Sequence, residues 1–316
     1  MNKKILVLTM SAQQSSYEVN RLVEEAGKLG VEVSRVLYKE LSFEVENGKT
    51  KVLACGKEIN EENTLAVWCR VAGTESGKYI EGRNLLLKLL KDKIFCANEV
   101  SYLSWPRMGK ISQHGVFVVN DISVVPTKIF YTREQVLNPS VLRTSPLENG
   151  RNTFFGWEYP IICKHERGFQ GKSVRKINNE KELKTVLKKI DEKSLGMYLW
   201  QKCLSTRWDM RVIVLGGKTL GAMKRSAVGD EFRSNFSLGG EVESWEISKE
   251  DSELAEKVAQ VCGLDYCGVD IMKDEFDNSY VLEVNRQCQF QGFEKATKIN
   301  TAKAVVEILV EKAVIY

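Results

Sequence analysis

Histidine and proline are scarce in this 316-residue chain, which has only two histidines, His114 and His165, and five prolines. The eight cysteines are scattered and form no C-x-x-C pair. So few histidines and such scattered cysteines argue against a zinc site. Several cysteines lie in apolar strand-like segments, as reduced core thiols do. We therefore expect a protein of the reducing cytoplasm.

Long hydrophobic runs and long basic runs are also missing. No apolar run approaches the ~20 residues that are needed to span a bilayer. The N-terminal MNKKILVLTM contains only a short apolar run, which predicts a first strand and not a signal peptide. The net charge of +4 is spread along the chain and gives no case for nucleic acid. We expect neither a membrane nor a nucleic acid as partner.

The composition that remains is that of a globular enzyme, with 43% hydrophobic and 28% charged residues. The chain is long enough for two or three lobes. It opens with a strand at Ile5–Thr9, a helix that a capping box at Ser15 and Glu18 begins and Gly30 ends, and a strand at Val31–Leu37. This β-α-β order predicts an α/β protein with a parallel sheet.

The sequence pattern changes near residue 123, after which a loop rich in proline, asparagine and glycine leads to new apolar strands. Gly216-Gly217 joins two further strands and is the strongest hairpin signal. We predict three domains, at residues 1–122, 123–203 and 204–316, the last of which carries the metal site described next.

Two apolar runs, Gly268–Met272 and Tyr280–Val284, flank an acidic turn and predict an antiparallel hairpin. Glu283 and Asn285 are two residues apart and so share one face, which Asp270 can join if the strands pair. Two carboxylates and an amide suit Mg²⁺ that bridges to phosphate. The alternative is that Asp270 is a buried acid satisfied by backbone groups.

Basic residues in other segments could hold phosphates or an anionic substrate. Lys110 lies in a predicted helix and Lys164 in an otherwise apolar strand, where a lysine is costly unless it is paired. Arg70 ends a strand, a position where ligands bind in open α/β sheets. Arg211, Arg225 and Arg233 add charge suited to phosphoryl transfer. Taken singly, each could be a solvated surface charge.

The motifs resemble the ATP-grasp superfamily, and within it the RimK-type ribosomal-protein glutamate ligases. Separately they are weak, and their order and spacing carry the resemblance over nearly the whole chain. In chain order they are Arg70–Thr74, Lys110, Pro160-x-x-x-Lys164, Gly168-Phe-Gln-Gly171, Trp200-Gln-Lys-Cys203, Asp209-Met-Arg-Val212, Arg233-Ser-Asn235, Gly239-Gly240, Gly268-Val-Asp270, Glu283-Val-Asn285 and Gly292–Thr297.

The resemblance implies a three-lobed ATP-grasp fold with an N-terminal Rossmann-like domain, and ATP held between two sheets. It implies a catalytic set, a nucleotide-binding set and a metal-binding set. The catalytic residues are Arg211, Arg233 and Asn235; the nucleotide-binding residues are Lys110, Lys164, Gly168, Gln170, Gly171, Gln201, Lys202, Cys203, Asp209, Arg233, Ser234 and Asn235; and the metal ligands are Asp270, Glu283 and Asn285.

By the same resemblance, the reaction is ATP-dependent joining of a carboxylate to an amine through an acyl phosphate, with two Mg²⁺ ions or with Mn²⁺ in their place. The acceptor is expected to be an amino acid, a peptide or a protein, and homo-oligomerisation stays open. We assign Arg70, Arg225 and Arg286 to substrate binding, since Arg286 could pair with an acceptor carboxylate.

Two departures from the family pattern concern the loop and the acceptor side. Ser173 replaces a usual glycine, and Arg286-Gln-Cys-Gln-Phe290 replaces the usual Ala-Ser-Pro-Gly. The second segment is similar to ATP-grasp enzymes that cross-link side chains of ribosomally made peptides. A macrocyclising ligase is therefore one alternative. A non-catalytic ATP-binding regulator is the other.

Overall fold

The computed structural model describes residues 3–13, 16–70, 77, 79–138, 153–168, 173–229 and 240–315. Several residues that the sequence analysis singled out lie outside these ranges. They are Ser15, residues 71–74, Gln170, Gly171, Arg233, Ser234, Asn235 and Gly239. In the described part of the chain no helix is long and apolar enough to cross a membrane.

The N-terminal part contains a parallel sheet, as its β-α-β opening predicts. Its elements are β1 Lys4–Thr9, α1 Ser16–Lys28, β2 Glu32–Leu37, β3 Leu41–Glu46, β4 Lys49–Ala54, β5 Lys57–Glu58, β6 Thr64–Cys69, α2 Ile80–Leu90, β7 Phe95–Ala97, α3 Glu99–Ser104 and α4 Lys110–Val119. The parallel strands run in the order β2-β1-β6-β7.

Strand β1 is buried on both of its faces. Ile5 and Val7 pack into one hydrophobic cluster, and Leu6 and Leu8 pack into another. Successive side chains of a strand point to opposite faces, so each cluster covers one side of the parallel sheet. This double burial explains why the strand reads as a continuous apolar run.

The middle of the chain forms an antiparallel sheet in the order β12-β11-β13-β8. In chain order, this part of the protein contains β8 Thr127–Ile129, α5 Arg133–Leu137, β9 Thr153–Phe154, β10 Trp157–Glu158, β11 Ile161–His165, β12 Val174–Ile177, α6 Glu180–Lys189 and β13 Tyr198–Lys202. The predicted helix cap is confirmed, because the Asn179 side chain accepts a hydrogen bond from the Glu182 amide. Leu183 and Leu187 of α6 then pack on this sheet.

The C-terminal part is a five-stranded antiparallel sheet in the order β16-β15-β14-β17-β18. Its elements are β14 Trp208–Leu215, β15 Lys218–Ser226, β16 Glu241–Trp245, α7 Lys249–Val261, β17 Tyr266–Lys273, β18 Ser279–Asn285, α8 Gln291–Thr297 and α9 Thr301–Ile315. Both predicted hairpins are confirmed. Gly216 and Gly217 adopt φ of 59° and 80°, the left-handed conformation that a tight hairpin turn needs.

Two antiparallel sheets were not predicted from the sequence, the pair β10-β9 and the larger β3-β4-β5. The strands of β3-β4-β5 are largely exposed, although β3 alternates the apolar Leu41, Phe43 and Val45 with polar residues, which is a strand signal. The turn between β3 and β4 is Asn47-Gly48, with φ of 51° and 74°. An Asn-Gly pair is a strong hairpin signal and could have predicted this sheet.

The two ends of the chain share one hydrophobic core. Phe290 and Val305 from the C-terminal segment pack in the same cluster as Ile5 and Trp68 from the parallel sheet, and α9 contacts α1 and β6. The boundaries at 122/123 and 203/204 stay a prediction. Wherever these boundaries fall, the first and last parts of the chain are joined by a buried apolar contact.

Asn98 fastens the parallel sheet to the strand that carries Asp270. Its Nδ2 donates to the carbonyls of Tyr266 and Arg286, and its Oδ1 accepts from the amides of Asp265 and Tyr266. The residue is fully buried and has a left-handed φ of 62°. All the hydrogen-bonding capacity of this amide is therefore used between two parts of the chain.

We predict that Asn98→Ala lowers the free energy of unfolding by about 3 kcal/mol, because buried backbone groups lose their partners. Urea denaturation measures this loss. Asn47→Ala is the matched control, since Asn47 also has positive φ but is exposed; it isolates the backbone cost. Equal losses in the two variants would show that the Asn98 hydrogen bonds contribute nothing.

Candidate functional site

The predicted metal ligands meet on one face of the β17–β18 hairpin. Asp270 lies opposite Glu283, and Gly268 lies opposite Asn285. Residues that oppose each other in an antiparallel pair project to the same side of the sheet. The Asn285 amide is accordingly within 3.3 Å of Glu283 Oε1 and 3.5 Å of Asp270 Oδ2.

Asp270 is held by two arginines from neighbouring strands. Arg211 Nε and Nη2 donate to its two oxygens at 2.7 Å, and Arg225 Nη2 lies 2.9 Å from Oδ2. Arg225 Nε also donates to Asp209 Oδ1 at 2.6 Å. Burial opposes ionisation of Asp270, but the two guanidiniums outweigh it and bring its pKa to about 2. Asp270 is therefore an anion with fixed orientation.

Glu283 faces the cation that begins α4. Lys110 Nζ lies 3.0 Å from Glu283 Oε2 and donates to the Gly168 carbonyl at 2.7 Å. Burial would raise the pKa of Glu283, and the Lys110 charge reverses that effect and lowers the pKa. Lys110 thus connects the predicted metal face to the start of the glycine-containing loop.

Lys164 of β11 belongs to the same electrostatic cluster. Burial lowers its pKa, while Glu283, Asp209 and Asp270 favour its charged form. The three carboxylates Asp209, Asp270 and Glu283 are met by four cations, Lys110, Lys164, Arg211 and Arg225. An excess of positive charge in this cluster suits an anionic ligand.

The predicted nucleotide edge runs along β13. The Lys202 amide donates to the Pro126 carbonyl at 3.0 Å, and Pro126 has no N–H to donate in return. The Lys202 carbonyl therefore gets no ladder hydrogen bond from Pro126, which keeps it suited to accept from a ligand. Gln201 is 2% exposed, and its amide contacts His114 and Thr127, so the structure favours a supporting role for it. Burial raises the pKa of the half-buried Cys203 thiol.

Two of the predicted substrate arginines, Arg286 and Arg70, donate hydrogen bonds to backbone carbonyls. Arg286 donates to the carbonyls of Ser101, Trp105 and Pro106. Arg70 is 1% exposed and donates to the carbonyls of Cys288 and Gln287. These contacts fix the segment that follows Asn285, and they favour a structural role over the predicted contact with substrate.

Arg225, the third predicted substrate arginine, lies 2% exposed between Asp209 and Asp270. This position favours support of the carboxylates over contact with substrate. Arg211 and Asp209 stand in the same cluster, and Gly168 adjoins it through Lys110. Arg233, Ser234, Asn235, Gln170 and Gly171 lie outside the described residues.

Sequence reasoning missed Gln113 and His114, two consecutive residues of α4. Gln113 bonds both backbone groups of Val284, between Glu283 and Asn285. His114 contacts Gln201. Both are polar residues on the buried side of a helix, and that is the signal that could have identified them.

The donor chemistry of the hairpin fits a hard divalent cation. Asp270 and Glu283 supply carboxylate oxygens, and a half-turn of the Asn285 amide would present its oxygen in place of its nitrogen. Within the described ranges no three His, Cys, Asp or Glu side chains gather as a metal site. The hairpin offers two carboxylates and one amide instead.

Comparisons with known proteins identify the family of the chain. The sequence matches the RimK-like ATP-grasp domain over residues 150–309, slightly more than half of the chain. It is 25% identical over 307 residues to a probable alpha-L-glutamate ligase of Rhodopirellula baltica, covering 97% of this chain and 70% of that protein. It is 32% identical over 152 residues to human beta-citrylglutamate synthase B, covering 48% of this chain and 39% of that protein.

Solved structures resemble the whole chain. The ATP-grasp ligase PsnB complexed with minimal precursor has a TM-score of 0.73 at 19% identity, covering 99% of this chain and 100% of that one. A Chryseobacterium gregarium RiPP-associated ATP-grasp ligase, in complex with ADP and a leader and core peptide, has a TM-score of 0.69 at 18% identity, covering 99% and 97%. The fold is that of an ATP-grasp ligase, and the chain belongs to the RimK-like ATP-grasp family.

Proposed function

We propose that this chain is an ATP-dependent ligase that joins a carboxylate to an amine, with an amino acid or a peptide as acceptor. The observation that carries the proposal is the β17–β18 face, where Asp270 and Glu283 stand beside Lys110 in a cleft that Lys164 also charges. The match to the RimK-like domain and the ligase names of the relatives support the same reaction.

In the proposed reaction, a carboxylate oxygen of one substrate attacks the γ-phosphorus of ATP. The bond from that phosphorus to the β–γ bridging oxygen breaks, and ADP leaves. An amine then attacks the acyl carbon and loses a proton, and phosphate departs. Lys110 and Lys164 would bind phosphate oxygens, and Arg211 would stabilise the charge that grows on the transferred group.

Asp270, Glu283 and Asn285 would hold Mg²⁺, as a pair of ions or with Mn²⁺ as a substitute. When bound, the metal would neutralise charge on the terminal phosphates of ATP. Arg211 and Arg225 would keep Asp270 ionised and oriented, while Lys110 can exchange its contact with Glu283 for a phosphate oxygen. Arg233, Ser234 and Asn235 would add their predicted contacts to the nucleotide.

The segment after Asn285 supports an acidic acceptor. Arg83 and Arg286 stack on the Tyr102 ring, at 4.1 and 4.6 Å from its centroid. Neither guanidinium has a carboxylate partner among the described residues, and Arg83 Nε has no hydrogen-bond partner. Arg286 is already held by backbone carbonyls, so the buried Arg83 is the cation that favours an anion nearby, such as the carboxylate of a glutamate or of an acidic peptide.

Peptide cross-linking is the second candidate function. It is favoured by the structural likeness to ligases complexed with precursor peptides over 99% of this chain. A non-catalytic regulator is disfavoured by the retained carboxylates, amide and arginines of the cleft.

Acceptor-stimulated ADP release is the direct test of the ligase. Purified protein with ATP and Mg²⁺ is assayed against amino acids and acidic peptides, and products are identified by mass spectrometry. We expect turnover to rise at least tenfold with one acceptor class, and the product to have lost one water relative to its substrates. ATP turnover that no carboxylate stimulates would contradict the proposal.

We predict that Glu283→Ala reduces turnover at least a thousandfold while the melting temperature stays within about 3 °C, because the proposed role of Glu283 is to hold metal and not to pack in the core. Glu275→Ala is the matched control, an exposed carboxylate in the turn of the same hairpin, and should keep full activity. Wild-type turnover in Glu283→Ala would remove this residue from the site.

We predict that Arg225→Met lowers the free energy of unfolding by about 3 kcal/mol, since Asp209 and Asp270 remain buried with fewer cations. Chemical denaturation checks this value. Lys218→Met removes a surface ion pair with Glu256 and should cost under about 1 kcal/mol. A loss in Arg225→Met no larger than this control would show that the buried network is not stabilising.

A further inference from the structure

Besides the Lys110–Glu283 ion pair, helix α4 is attached to the strand of the metal ligands through Gln113. Gln113 Nε2 donates to the Val284 carbonyl at 3.0 Å, and Gln113 Oε1 accepts from the Val284 amide at 2.9 Å. Among the described residues, strand β18 is the edge of its sheet, and a bridge from Val124 reaches this edge at Val281. The Val284 backbone groups face outward beyond that bridge. Gln113 therefore takes the place of a strand at the residue between Glu283 and Asn285.

The next residue attaches the same helix to the predicted nucleotide edge. His114 Nδ1 lies 2.8 Å from the Lys110 carbonyl, which can only accept, so Nδ1 carries the proton. Nε2 is then an acceptor for Gln201 Nε2 at 3.1 Å, and the same Gln201 nitrogen donates to Thr127 Oγ1 at 2.8 Å. The neutral ring thus connects the helix to both β13 and β8.

We propose that Gln113 and His114 are positioning residues that fix the span between the base and the terminal phosphates of the nucleotide. Consecutive helix residues point about 100° apart, so adjacent side chains can reach two different sheets. Lys110, at the start of the same helix, touches Glu283 and Gly168. The assignment rests on the nucleotide and metal sites of the proposed function.

Simple packing would not require this chemistry. Gln113 and His114 are 6% and 8% exposed, and polar groups so deeply buried are costly unless every partner is placed. Apolar side chains would bury the helix equally well. Gln113 instead bonds β18, the strand of the metal ligands Glu283 and Asn285. His114 bonds Gln201 of β13, the predicted nucleotide edge.

The test separates two binding terms, each measured by calorimetry on the full chain. One is the affinity for ADP without metal, and the other is the factor by which Mg²⁺ strengthens it. His114→Phe should weaken metal-free binding about tenfold and keep the Mg²⁺ factor. Gln113→Met should keep metal-free binding within about twofold and reduce the Mg²⁺ factor about tenfold, the effect of losing one or two hydrogen bonds.

Three further measurements distinguish the positioning role from a loss of stability. Amide exchange at Val284 should accelerate in ligand-free Gln113→Met and not in the control Gln260→Met, which changes an exposed glutamine of α7. His114→Gln, which keeps an acceptor near the position of Nε2, should retain metal-free ADP affinity. Melting temperatures of all variants show whether each is folded.

The proposal is overturned if both terms move together in either variant, if neither moves, or if only the melting temperature falls. It is also overturned if Val284 exchange is unchanged in Gln113→Met. None of these readouts requires turnover. Absence of ligation with every acceptor would therefore refute the proposed reaction, while the separated binding terms would still uphold the positioning role.

Discussion

The site depends on one buried anion, Asp270, held between two guanidiniums. An ionised carboxylate that is 3% exposed is stable only because Arg211 and Arg225 stand on either side of it. Arg225 in turn needs Asp209. This network fixes the orientation of Asp270 before any ligand binds, and it sets the position of the hairpin face on which Glu283 and Asn285 also lie.

The rest of the fold keeps that hairpin in register with its surroundings. Asn98 joins its first strand to the parallel sheet, and Gln113 covers the outer edge of its second strand. The shared core of α1, α9 and the segment around Phe290 holds the two ends of the chain together. The cleft is thereby built from elements that are distant in sequence, and Lys110 stands where they meet.

Local pattern was enough to predict the buried strands, the longer helices and the hairpin that carries Asp270 and Glu283. The i, i+2 spacing of Glu283 and Asn285 places both on one face whatever the rest of the fold does. Turn chemistry at Gly216-Gly217 and the cap at Asn179 are equally local. The ATP-grasp fold was predicted from the order and spacing of the motifs. No single motif would have been enough, because each one alone is common in unrelated proteins.

What could not be predicted depends on pairing across the chain. Arg286 looked like a substrate residue because it follows the metal ligands, but its donors meet carbonyls near Trp105 that only the folded chain brings close. Arg225 shows the same limit, since its two acids lie on other strands. A buried polar residue on a helix, such as Gln113, is visible in the sequence only once the buried face is known.

In the proposed site, the face formed by Asp270, Glu283 and Asn285 binds the metal that accompanies the nucleotide. Anomalous diffraction from crystals grown with ADP and Mn²⁺ tests this assignment most directly, because the metal is located without reference to the protein atoms. The account predicts a Mn²⁺ peak in contact with Glu283 and Asp270 oxygens and with a phosphate of ADP. Bound ADP whose Mn²⁺ lies away from these side chains would contradict it.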